Sequence, residues 1–396
     1  MPPAAAPDAA MATRRRRRAD ALPPAAGEAE LTPAALAAVR TAVMDWFAVA
    51  QRRLPWREGY DPYGVWVAEI MLQQTQVETV RAYYERWMAR FPDVHAVAAA
   101  SQEAVLKAWE GLGYYSRARN LQRAAQAIVE RHDGRVPEEL EALLALPGIG
   151  RYTAGAIRSI GHNRPAPLVD GNVGRVLGRL VALDVPARST GGQRRLWALA
   201  DALVPERGPR DFNQGLMELG ALVCRPTAPQ CLLCPLQPHC AACAQGRPEA
   251  FPPPPERRAR PLRRGAMLLL RDAAGRLLLR RRPPTGVWGG LWEPPWVERQ
   301  VGESATAAAR RLLAELGLPE PPRLVRAGQL SHGLTHFQLE LSCFRARLPG
   351  SPRALGGAGG NEAGSDACWA DAARIAALPL ARLGHKALEL IGNDDA

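Results

Sequence analysis

Lysine is almost absent from this 396-residue chain, which contains only Lys107 and Lys386. The 51 Lys and Arg residues against 39 acidic residues give a formal net charge of +12 and a pI near 10.0, so arginine carries nearly all the positive charge. Arginine makes bidentate contacts to phosphate, and a pI above about 9 is typical of nucleic-acid-binding domains. The composition therefore predicts a nucleic-acid partner, with an arginine-biased genome as the alternative explanation.

Long apolar segments are also lacking. No run of about 18 or more apolar residues occurs, so the sequence predicts no membrane-spanning helix and no membrane partner. The N-terminus does not show the basic, apolar and small-residue order of a signal peptide, and we expect a cytoplasmic protein, associated with the nucleoid through DNA. Residues 1–30 are rich in Ala and Pro and contain the run Arg14–Arg18, which predicts a disordered tail.

The hydrophobic pattern divides the remaining chain into two domains and a linker. Residues 31–245 show helical periodicity interrupted by Pro and Gly, and predict an all-α domain. Residues 246–264 contain four consecutive prolines, which neither continue a helix nor enter a central strand, and predict a semi-rigid linker. Residues 265–396 change to strand-like runs, two of them around a turn at Asp272–Gly275, with helical segments at 303–316 and 381–391, and predict an α+β domain.

Most of the seven cysteines are concentrated in one short segment. Four of them follow the spacing C-x6-C-x2-C-x5-C: Cys224, Cys231, Cys234 and Cys240. Closely spaced thiols in a chain without secretory features predict metal ligation rather than disulfide bonds. Four thiolates are the ligand set of a [4Fe–4S] cluster, so we predict this cofactor on residues 224–240.

Structural zinc is the alternative for the same segment. It would use two C-x2-C pairs, formed by Cys231, Cys234, Cys240 and Cys243. Such pairs are usually separated by about fifteen residues, whereas only five intervene here, so the spacing favours the cluster. The remaining thiols, Cys243, Cys343 and Cys368, are then expected to be free.

A glycine-rich turn joins two helical patterns at Pro147-Gly148-Ile149-Gly150. Glycines allow the backbone to approach a ligand closely, and the amides that begin the next helix suit an anion. The spacing from Gly148 and Gly150 to Asp170 also matches a dinucleotide-binding fingerprint. That motif must follow a strand, but a helical pattern precedes this turn, so we predict a helix-hairpin-helix that binds a DNA phosphate through Gly148 and Gly150.

An acidic residue occurs within an apolar helical segment, "VWVAEIMLQQTQV", at residues 65–77. A core-facing stripe at helical spacing would contain Val65, Ala68, Glu69, Leu72 and Gln76. A carboxyl on the packed side of a helix loses hydration, and this raises its pKa. The position of Glu69 therefore predicts a proton donor that works near neutral pH.

Taken together, these motifs resemble the endonuclease III superfamily of base-excision DNA glycosylases, and within it the adenine glycosylases. The resemblance covers about residues 31–396 and includes "LPWR", "PYGVWVAEIMLQQTQV", "GLGYYSRARN", "LPGIGRYTAG", "VDGNVGRVLGR", the cysteine array, "WGGLW" and "LTHF". It implies a helix-hairpin-helix glycosylase domain with a [4Fe–4S] loop and a C-terminal Nudix-like α+β domain. The implied substrate is double-stranded DNA containing A:8-oxoguanine or A:G mispairs, bound by a monomer.

The resemblance also implies roles for four catalytic residues. Glu69 would protonate N7 of the flipped adenine, and Asp170, as a carboxylate, would stabilise the cationic sugar. An N-cap for the helical pattern near residue 173 is a further or alternative role of Asp170. Asn172 would help to hold the sugar or water. Tyr152 lies where endonuclease III carries its Schiff-base lysine, so we expect a glycosylase without lyase activity.

The DNA-contacting residues are implied in the same way. Gln74 would enter the gap left by the flipped base and Tyr114 would act as a wedge, with a buried aromatic as the alternative for Tyr114. Arg57 and Glu218 correspond to residues around the adenine pocket, with a purely structural salt bridge as their alternative.

Two residues of the C-terminal domain, Thr335 and His336, are implied to inspect 8-oxoguanine. Leu334 occupies the position of an aromatic residue in that loop and cannot stack on a base. In "RRLLAELG", residues 310–317, Arg311 and Ala314 stand where the metal-binding Nudix box needs glutamates. We therefore expect this domain to recognise its ligand rather than hydrolyse it.

Two other functions remain open on the sequence alone. A related glycosylase could act on T or U opposite G, although the acid in "AEIMLQQ" and the second domain argue against it. A non-catalytic DNA-damage sensor could use the cluster as a scaffold, although the presence of both Glu69 and Asp170 argues against that.

Overall fold

The computed structural model describes residues 31–254, 259–317, 322–350 and 366–392. The predicted tail at 1–30 lies outside these ranges. The packing forms two compact units that are not continuous in sequence. One contains residues up to Gln73 and Arg135–Glu256, and the other contains Gln74–Gly134 and the residues from Arg257 onward. Each is described below as a separate unit.

The first unit is helical throughout its described part, as predicted. Its helices are α1 Pro33–Ala50, α2 Pro62–Leu72, α7 Leu140–Leu144, α8 Arg151–Ala156, α9 Gly171–Leu180, α10 Thr190–Leu203, α11 Pro209–Leu222 and α12 Ala241–Ala244, where α3 to α6 belong to the second unit. A π-helical turn, Ile157–Gly161, continues α8. Side chains of α1, α9, α10 and α11 enclose the core of this unit around Val43, Leu177 and Phe212.

Helix α1 is the one helix in the described residues that is long and apolar enough to cross a membrane by length and composition. The same test is passed by core helices of soluble proteins. Here Val39, Val43 and Phe47 are buried against α11, where Gly215 allows close approach of the two helices. A packed face of this kind accounts for the apolar composition of α1.

The second unit begins with helices α3 Val77–Arg90, α4 Val94–Ala99, α5 Gln102–Ala108 and α6 Ser116–Arg131. An aromatic cluster packs between them. The rings of Trp87 and Trp109 meet edge to face with centroids 5.6 Å apart, and Phe91 lies 4.9 Å from Trp87. Edge-to-face pairs of this kind add stabilisation beyond the apolar area they bury.

A mixed sheet forms the rest of the second unit. Its strands are β1 Leu262–Arg271, β2 Leu277–Arg281, β3 Trp292–Glu293, β4 Trp296–Glu298, β5 Val325–Gly333, β6 Gln338–Arg347 and β7 Ala367–Ala370, and its helices are α13 Ala305–Glu315, α14 Ala372–Ala377 and α15 Arg382–Gly392. The main strand order is β3-β2-β1-β6-β5, with β4 on β1 and β7 on β2. Strands β1 and β6 are parallel, and the other pairs are antiparallel.

The packing of strand β1 explains why its sequence does not alternate between apolar and polar residues. Ala266, Leu268 and Leu270 face the core beneath α13, whereas Met267 and Leu269 face the core on the other side of the sheet. A strand buried on both faces reads as a continuous apolar run. The predicted turn at Asp272–Gly275 is present, and the Asp272 carboxylate accepts a hydrogen bond from the Arg276 amide at 2.8 Å.

The segment predicted as a linker is partly built into both units. Strand β1 begins at Leu262, which pairs with Gln338, so residues 262–264 belong to the sheet. At the other end, the Phe251 carbonyl accepts a hydrogen bond from Arg179 Nε at 3.1 Å. The ring of Pro252 lies against Gly178 of α9. Residues 246–254 therefore pack on the helical unit. The domain boundaries themselves remain a prediction.

Candidate active site

Helix α2 positions the first candidate residue, Glu69. Asp61 caps the helix by accepting a hydrogen bond from the Gly64 amide at 2.9 Å, and Pro62 occupies its first turn. Every side chain from Tyr63 to Met71 is buried, because α2 packs against both α8 and the π-helical turn. The predicted core-facing stripe is therefore wrong at its C-terminal end. Leu72 is half-buried, and Gln76 is exposed and lies beyond the helix.

The Glu69 carboxyl is only 3% exposed. Burial raises its pKa from 4.5 to about 7, and the nearby Asp170 carboxylate adds to this, while the Tyr152 hydroxyl and Arg57 act in the opposite direction. The Tyr152 hydroxyl donates a hydrogen bond to Oε2. Within the described residues Oε1 has no hydrogen-bond partner. Glu69 is thus a carboxyl that is partly protonated near neutrality and has one oxygen available to a ligand.

Asp170 is the N-cap of α9, as the sequence allowed. Its Oδ1 accepts a hydrogen bond from the Val173 amide at 2.7 Å, and its Oδ2 accepts a weaker one from Asn172 Nδ2 at 3.4 Å. Burial raises the pKa of this carboxyl, and the hydrogen bonds from Val173 and Asn172, with the charge of Arg175, oppose the rise. The cap interaction therefore holds the Asp170 carboxylate beside Glu69. It does not prevent that carboxylate from acting on a substrate.

Tyr152 lies on α8, directly after the glycine-rich hairpin. Burial and the carboxylates of Glu69 and Asp170 raise its pKa well above 10, so the phenol is neutral at physiological pH. Gly148 has φ of +76°, which glycine adopts without strain, and Gly150 is the extended N-cap of α8. Both glycines are exposed, on either side of the buried Ile149.

Arg57 and Glu218 form a buried ion pair in the same unit. Glu218 on α11 accepts from Arg57 Nη2 at 3.0 Å and from Arg52 Nε at 2.8 Å. Burial alone would raise the pKa of Glu218, but the two guanidiniums lower it below its usual value. Gln214 Oε1 accepts a further bond from Arg57 Nε at 2.8 Å. Arg57 and Glu218 therefore form the structural salt bridge that the sequence left open as their alternative role. This salt bridge holds Arg57 near Glu69.

Replacing Glu218 by alanine is expected to lower the free energy of unfolding by about 3–5 kcal/mol, because it leaves the Arg57 guanidinium buried without its counter-charge. The measurement is urea denaturation followed by circular dichroism. Asp184→Ala, which removes the exposed partner of Arg195, is the matched control and should cost less than about 1 kcal/mol. Equal losses in the two variants would show that the buried pair does not stabilise the fold.

The predicted DNA wedges lie in the second unit. Gln74 and Tyr114 are exposed and have left-handed backbone, with φ of +60° and +46°. Non-glycine residues rarely adopt this conformation, and it is enriched at functional sites. The Tyr114 ring is 43% exposed, so the buried-aromatic alternative is wrong.

The predicted inspection residues Thr335 and His336 are both exposed in the loop between β5 and β6. The Tyr114 hydroxyl lies 2.6 Å from Thr335 Oγ1, so Tyr114 and the loop between β5 and β6 are in direct contact. Leu334, in contrast, packs partly against the core of the sheet.

Several supporting residues were not identified from the sequence. Arg175 Nη2 donates to Asn172 Oδ1 at 2.8 Å, and its Nε donates to the Cys224 carbonyl at 2.8 Å. Arg117 is buried, donates to the carbonyl of Leu112 at 2.9 Å and thereby holds the turn that precedes Tyr114. Burial lowers the pKa of Arg117 to about 10. An arginine-rich composition gives no indication of which guanidiniums turn inward.

The cysteine segment forms a small cavity between α9 and α12. Five thiols line it: Cys224, Cys231, Cys234, Cys240 and Cys243. Burial and the mutual repulsion of neighbouring thiolates raise the pKa of Cys231 and Cys240, and burial raises that of Cys234 to about 12. Arg179 Nη1 lies 3.4 Å from Cys224 Sγ. In the part of the chain that the structure describes, no three His, Cys, Asp or Glu side chains are arranged to hold one metal ion.

Comparison with known proteins finds matches for both the helical part and the C-terminal part of the chain. Residues 67–198 match the model of the HhH-GPD superfamily base excision DNA repair protein, and residues 266–390 match that of the NUDIX domain. The adenine DNA glycosylase of Rattus norvegicus is 47% identical over 227 residues, which cover 54% of this chain and 44% of the rat protein. That of Buchnera aphidicola subsp. Acyrthosiphon pisum (strain APS) is 36% identical over 211 residues, covering 53% of this chain and 60% of that protein.

The mammalian relatives are matched over less than half of their length, 44% in the rat protein and 40% in that of Homo sapiens. Among solved structures, a thermostable thymine-DNA glycosylase is 28% identical with a TM-score of 0.47, covering 53% of this chain and 97% of that one.

Residues 67–198 therefore form a domain of the HhH-GPD superfamily of base excision DNA repair proteins, and a NUDIX domain follows it. Over about half of its length the chain is similar to adenine DNA glycosylases, and it spans about half of the length of those relatives.

Proposed function

We propose that this protein removes adenine mispaired with 8-oxoguanine or guanine from double-stranded DNA by hydrolysing the N-glycosidic bond. The observation that carries the proposal is the buried Glu69 carboxyl, with a pKa of about 7, beside a second carboxylate at Asp170. Two carboxyls in different protonation states are what acid-assisted cleavage of a glycosidic bond requires. The similarity to adenine DNA glycosylases favours adenine as the base.

The chemistry follows from the two environments. Adenine leaves poorly as an anion and well once it is protonated, so the proton on Glu69 would be transferred to N7 of the flipped base. Asp170, in its carboxylate form, would stabilise the positive charge that develops on the sugar, and the Val173 amide donates a hydrogen bond to that carboxylate. Asn172, oriented by Arg175, would hold the sugar or the attacking water. Tyr152 is a neutral phenol that supports Glu69 and provides no amine, so a Schiff base with the sugar does not form there.

The DNA-contacting residues come from both units. In the helical unit, the exposed Gly148 and Gly150 would approach a phosphate, and Arg57 and Glu218 would line the pocket for the base. In the second unit, Gln74 and Tyr114 would fill the gap in the duplex. Thr335 and His336 would contact the opposing base, with Thr335 and Tyr114 joined by their hydroxyls.

The side chains of the Nudix domain favour recognition of a ligand by this domain over hydrolysis of that ligand. Arg311 replaces one expected glutamate and donates hydrogen bonds to Glu303 at 2.9 Å and to Glu315 at 3.1 Å. The carboxylates that remain near the box are therefore paired with a guanidinium. A Mg²⁺-dependent hydrolase needs such carboxylates as metal ligands.

The cysteine cavity fits a [4Fe–4S] cluster held by Cys224, Cys231, Cys234 and Cys240. Each thiolate of such a cluster binds a different iron, so the ligands surround a cavity instead of meeting at one point as for zinc. Arg179 offers an N–H group to Cys224 Sγ and thereby balances thiolate charge. When bound, the cluster would fix the loop 224–240.

A substrate panel tests the proposed function. Purified protein is expected to release adenine from duplexes with A opposite 8-oxoguanine, and more slowly from A:G, but to leave T:G and U:G duplexes intact. Borohydride added during the reaction should trap almost no covalent complex, because no lysine follows the hairpin. Release of thymine or uracil would favour the related mismatch enzyme, and tight binding without any release would favour the damage sensor.

A further inference from the structure

A fifth cysteine reaches the cavity that the four predicted ligands line. Cys243 was expected to be a free thiol unrelated to the cluster. Cys240 is the N-cap of the one-turn helix α12, and Cys243 lies three residues further along it. Residues three apart on a helix share one face. Both thiols therefore line the same cavity, together with Cys224, Cys231 and Cys234.

Cys243 lies close to two of those residues. Both Cys231 and Cys243 line the cavity, where burial and the Cys243 thiol raise the pKa of the Cys231 thiol, and the Cys243 backbone opposes the rise that burial causes in the pKa of the Cys240 thiol. Helix α12 itself is anchored, because Ala242 is fully buried and the Cys240 thiol lies 3.4 Å from the Arg179 carbonyl. The neighbourhood of Cys231 and Cys243 is thus set by packed backbone rather than by a mobile side chain.

Cys231 is the least supported of the four predicted ligands. It begins the short 3-10 turn Cys231–Leu233, and the two leucines that follow are 89% and 69% exposed. Cys224 and Cys240, in contrast, each contact Arg179 of α9. If one of the four ligands leaves the cluster, the structure favours Cys231, and the Cys243 thiol lines the same cavity.

We propose that Cys243 is a reserve ligand that binds the cluster iron when Cys231 does not. In this exchange the bond from iron to Cys231 breaks and the Cys231 thiolate takes up a proton from solvent, while the Cys243 thiol releases its proton to solvent and would bind the same iron as a thiolate. One thiolate substitutes for another, so the charge of the cluster is unchanged and no electron is transferred. The proposal rests on the [4Fe–4S] cluster of the proposed function.

The test compares alanine variants, since alanine offers iron no ligand atom. Cys231→Ala, Cys243→Ala, the double variant and Cys224→Ala are reconstituted anaerobically with iron and sulfide beside the full-length unmodified protein. Bound iron and acid-labile sulfide per chain are measured, and the visible absorption and paramagnetic resonance of the cluster are recorded. Far-ultraviolet circular dichroism reports whether each variant folds.

Cys231→Ala and Cys243→Ala are each expected to keep most of the iron, with an altered spectrum only in Cys231→Ala. The double variant should lose it, and so should Cys224→Ala, because the proposal assigns Cys243 as a substitute for Cys231 and not for Cys224. The contribution of Cys243 is measured by comparing the bound iron of Cys231→Ala with that of the double variant, because both variants lack Cys231. Equal depletion of these two, or a retained cluster in the double variant, would overturn the proposal. An unmodified protein that binds no iron would instead refute the cluster itself.

Discussion

Glu69→Gln is expected to lower the single-turnover rate of adenine excision by about 10²–10⁴-fold, because it removes the proton that the leaving base needs. Glutamine keeps the size of the side chain and still accepts the hydrogen bond from the Tyr152 hydroxyl. Binding to an A:8-oxoguanine duplex should therefore change little. The rate is measured with enzyme in excess over DNA, and affinity is measured by fluorescence anisotropy.

Glu141→Gln, at an exposed position on α7, is the matched control and should excise adenine at the normal rate. The pH profile provides a second readout. Because Glu69 must be protonated and its pKa is about 7, the rate of the unmodified protein should fall as the pH rises through that value. Persistent excision in Glu69→Gln, or a rate that is independent of pH in this range, would contradict the assignment.

The same pKa shift affects stability with a defined sign. The folded-state pKa of about 7 exceeds the unfolded value of 4.5, so the stabilisation from the protonated form is complete below the unfolded pKa and is lost as the pH rises through the folded one. The shift corresponds to ~3 kcal/mol at most. Glu69→Gln does not titrate, so its Tm relative to that of the unmodified protein should increase with pH.

Asp170→Asn is expected to lower the excision rate by about 10²–10³-fold, because it removes the negative charge beside the cationic sugar. Asparagine caps helices about as well as aspartate, so α9 should keep its N-cap and its stability. The contrast between a lost rate and an unchanged Tm separates the chemical role from the structural one. Both are measured on the same preparation.

Asp93→Asn provides the control for the cap, since Asp93 caps α4 in the other unit and should affect neither quantity. Asp170→Ala is the complementary variant. It should lose the rate and also about 1 kcal/mol of stability, because the Val173 amide then has no partner from the cap. If Asp170→Asn excised adenine at the normal rate, Asp170 would be a cap only.

Local patterns were sufficient to predict most of the elements. The Asp272–Gly275 turn, the strand-like run after it and the helices near residues 303–316 and 381–391 all follow from short-range periodicity and turn residues. Helix α2 shows the limit of that reasoning. A stripe assumes that one side of a helix is buried, whereas α2 is surrounded by its neighbours, so its apolar pattern could not reveal where it ends.

Long-range partners were beyond the sequence for a different reason. Arg52 and Glu218 are 166 positions apart, and nothing local to either one indicates the other. Asp170 and Tyr152 were singled out through resemblance, and Glu69 through its position in an apolar helix. That Asp170, Tyr152 and Arg57 all lie close enough to affect the pKa of Glu69 required the packed environment. Cys243 was assigned as a free thiol because spacing along the chain does not report which sulfurs share a cavity.

Helix α9 connects the two halves of the proposed chemistry. Asp170 stands at its start, and within three turns Arg175 and Arg179 bind the backbone of the cysteine segment at Cys224 and Arg225. If the cysteine segment loosens, Arg175 loses an anchor and Asn172 loses the guanidinium that orients it. On the proposed function, repair capacity would then follow iron supply: cells starved of iron would carry the protein in a form that still reaches DNA but excises adenine slowly.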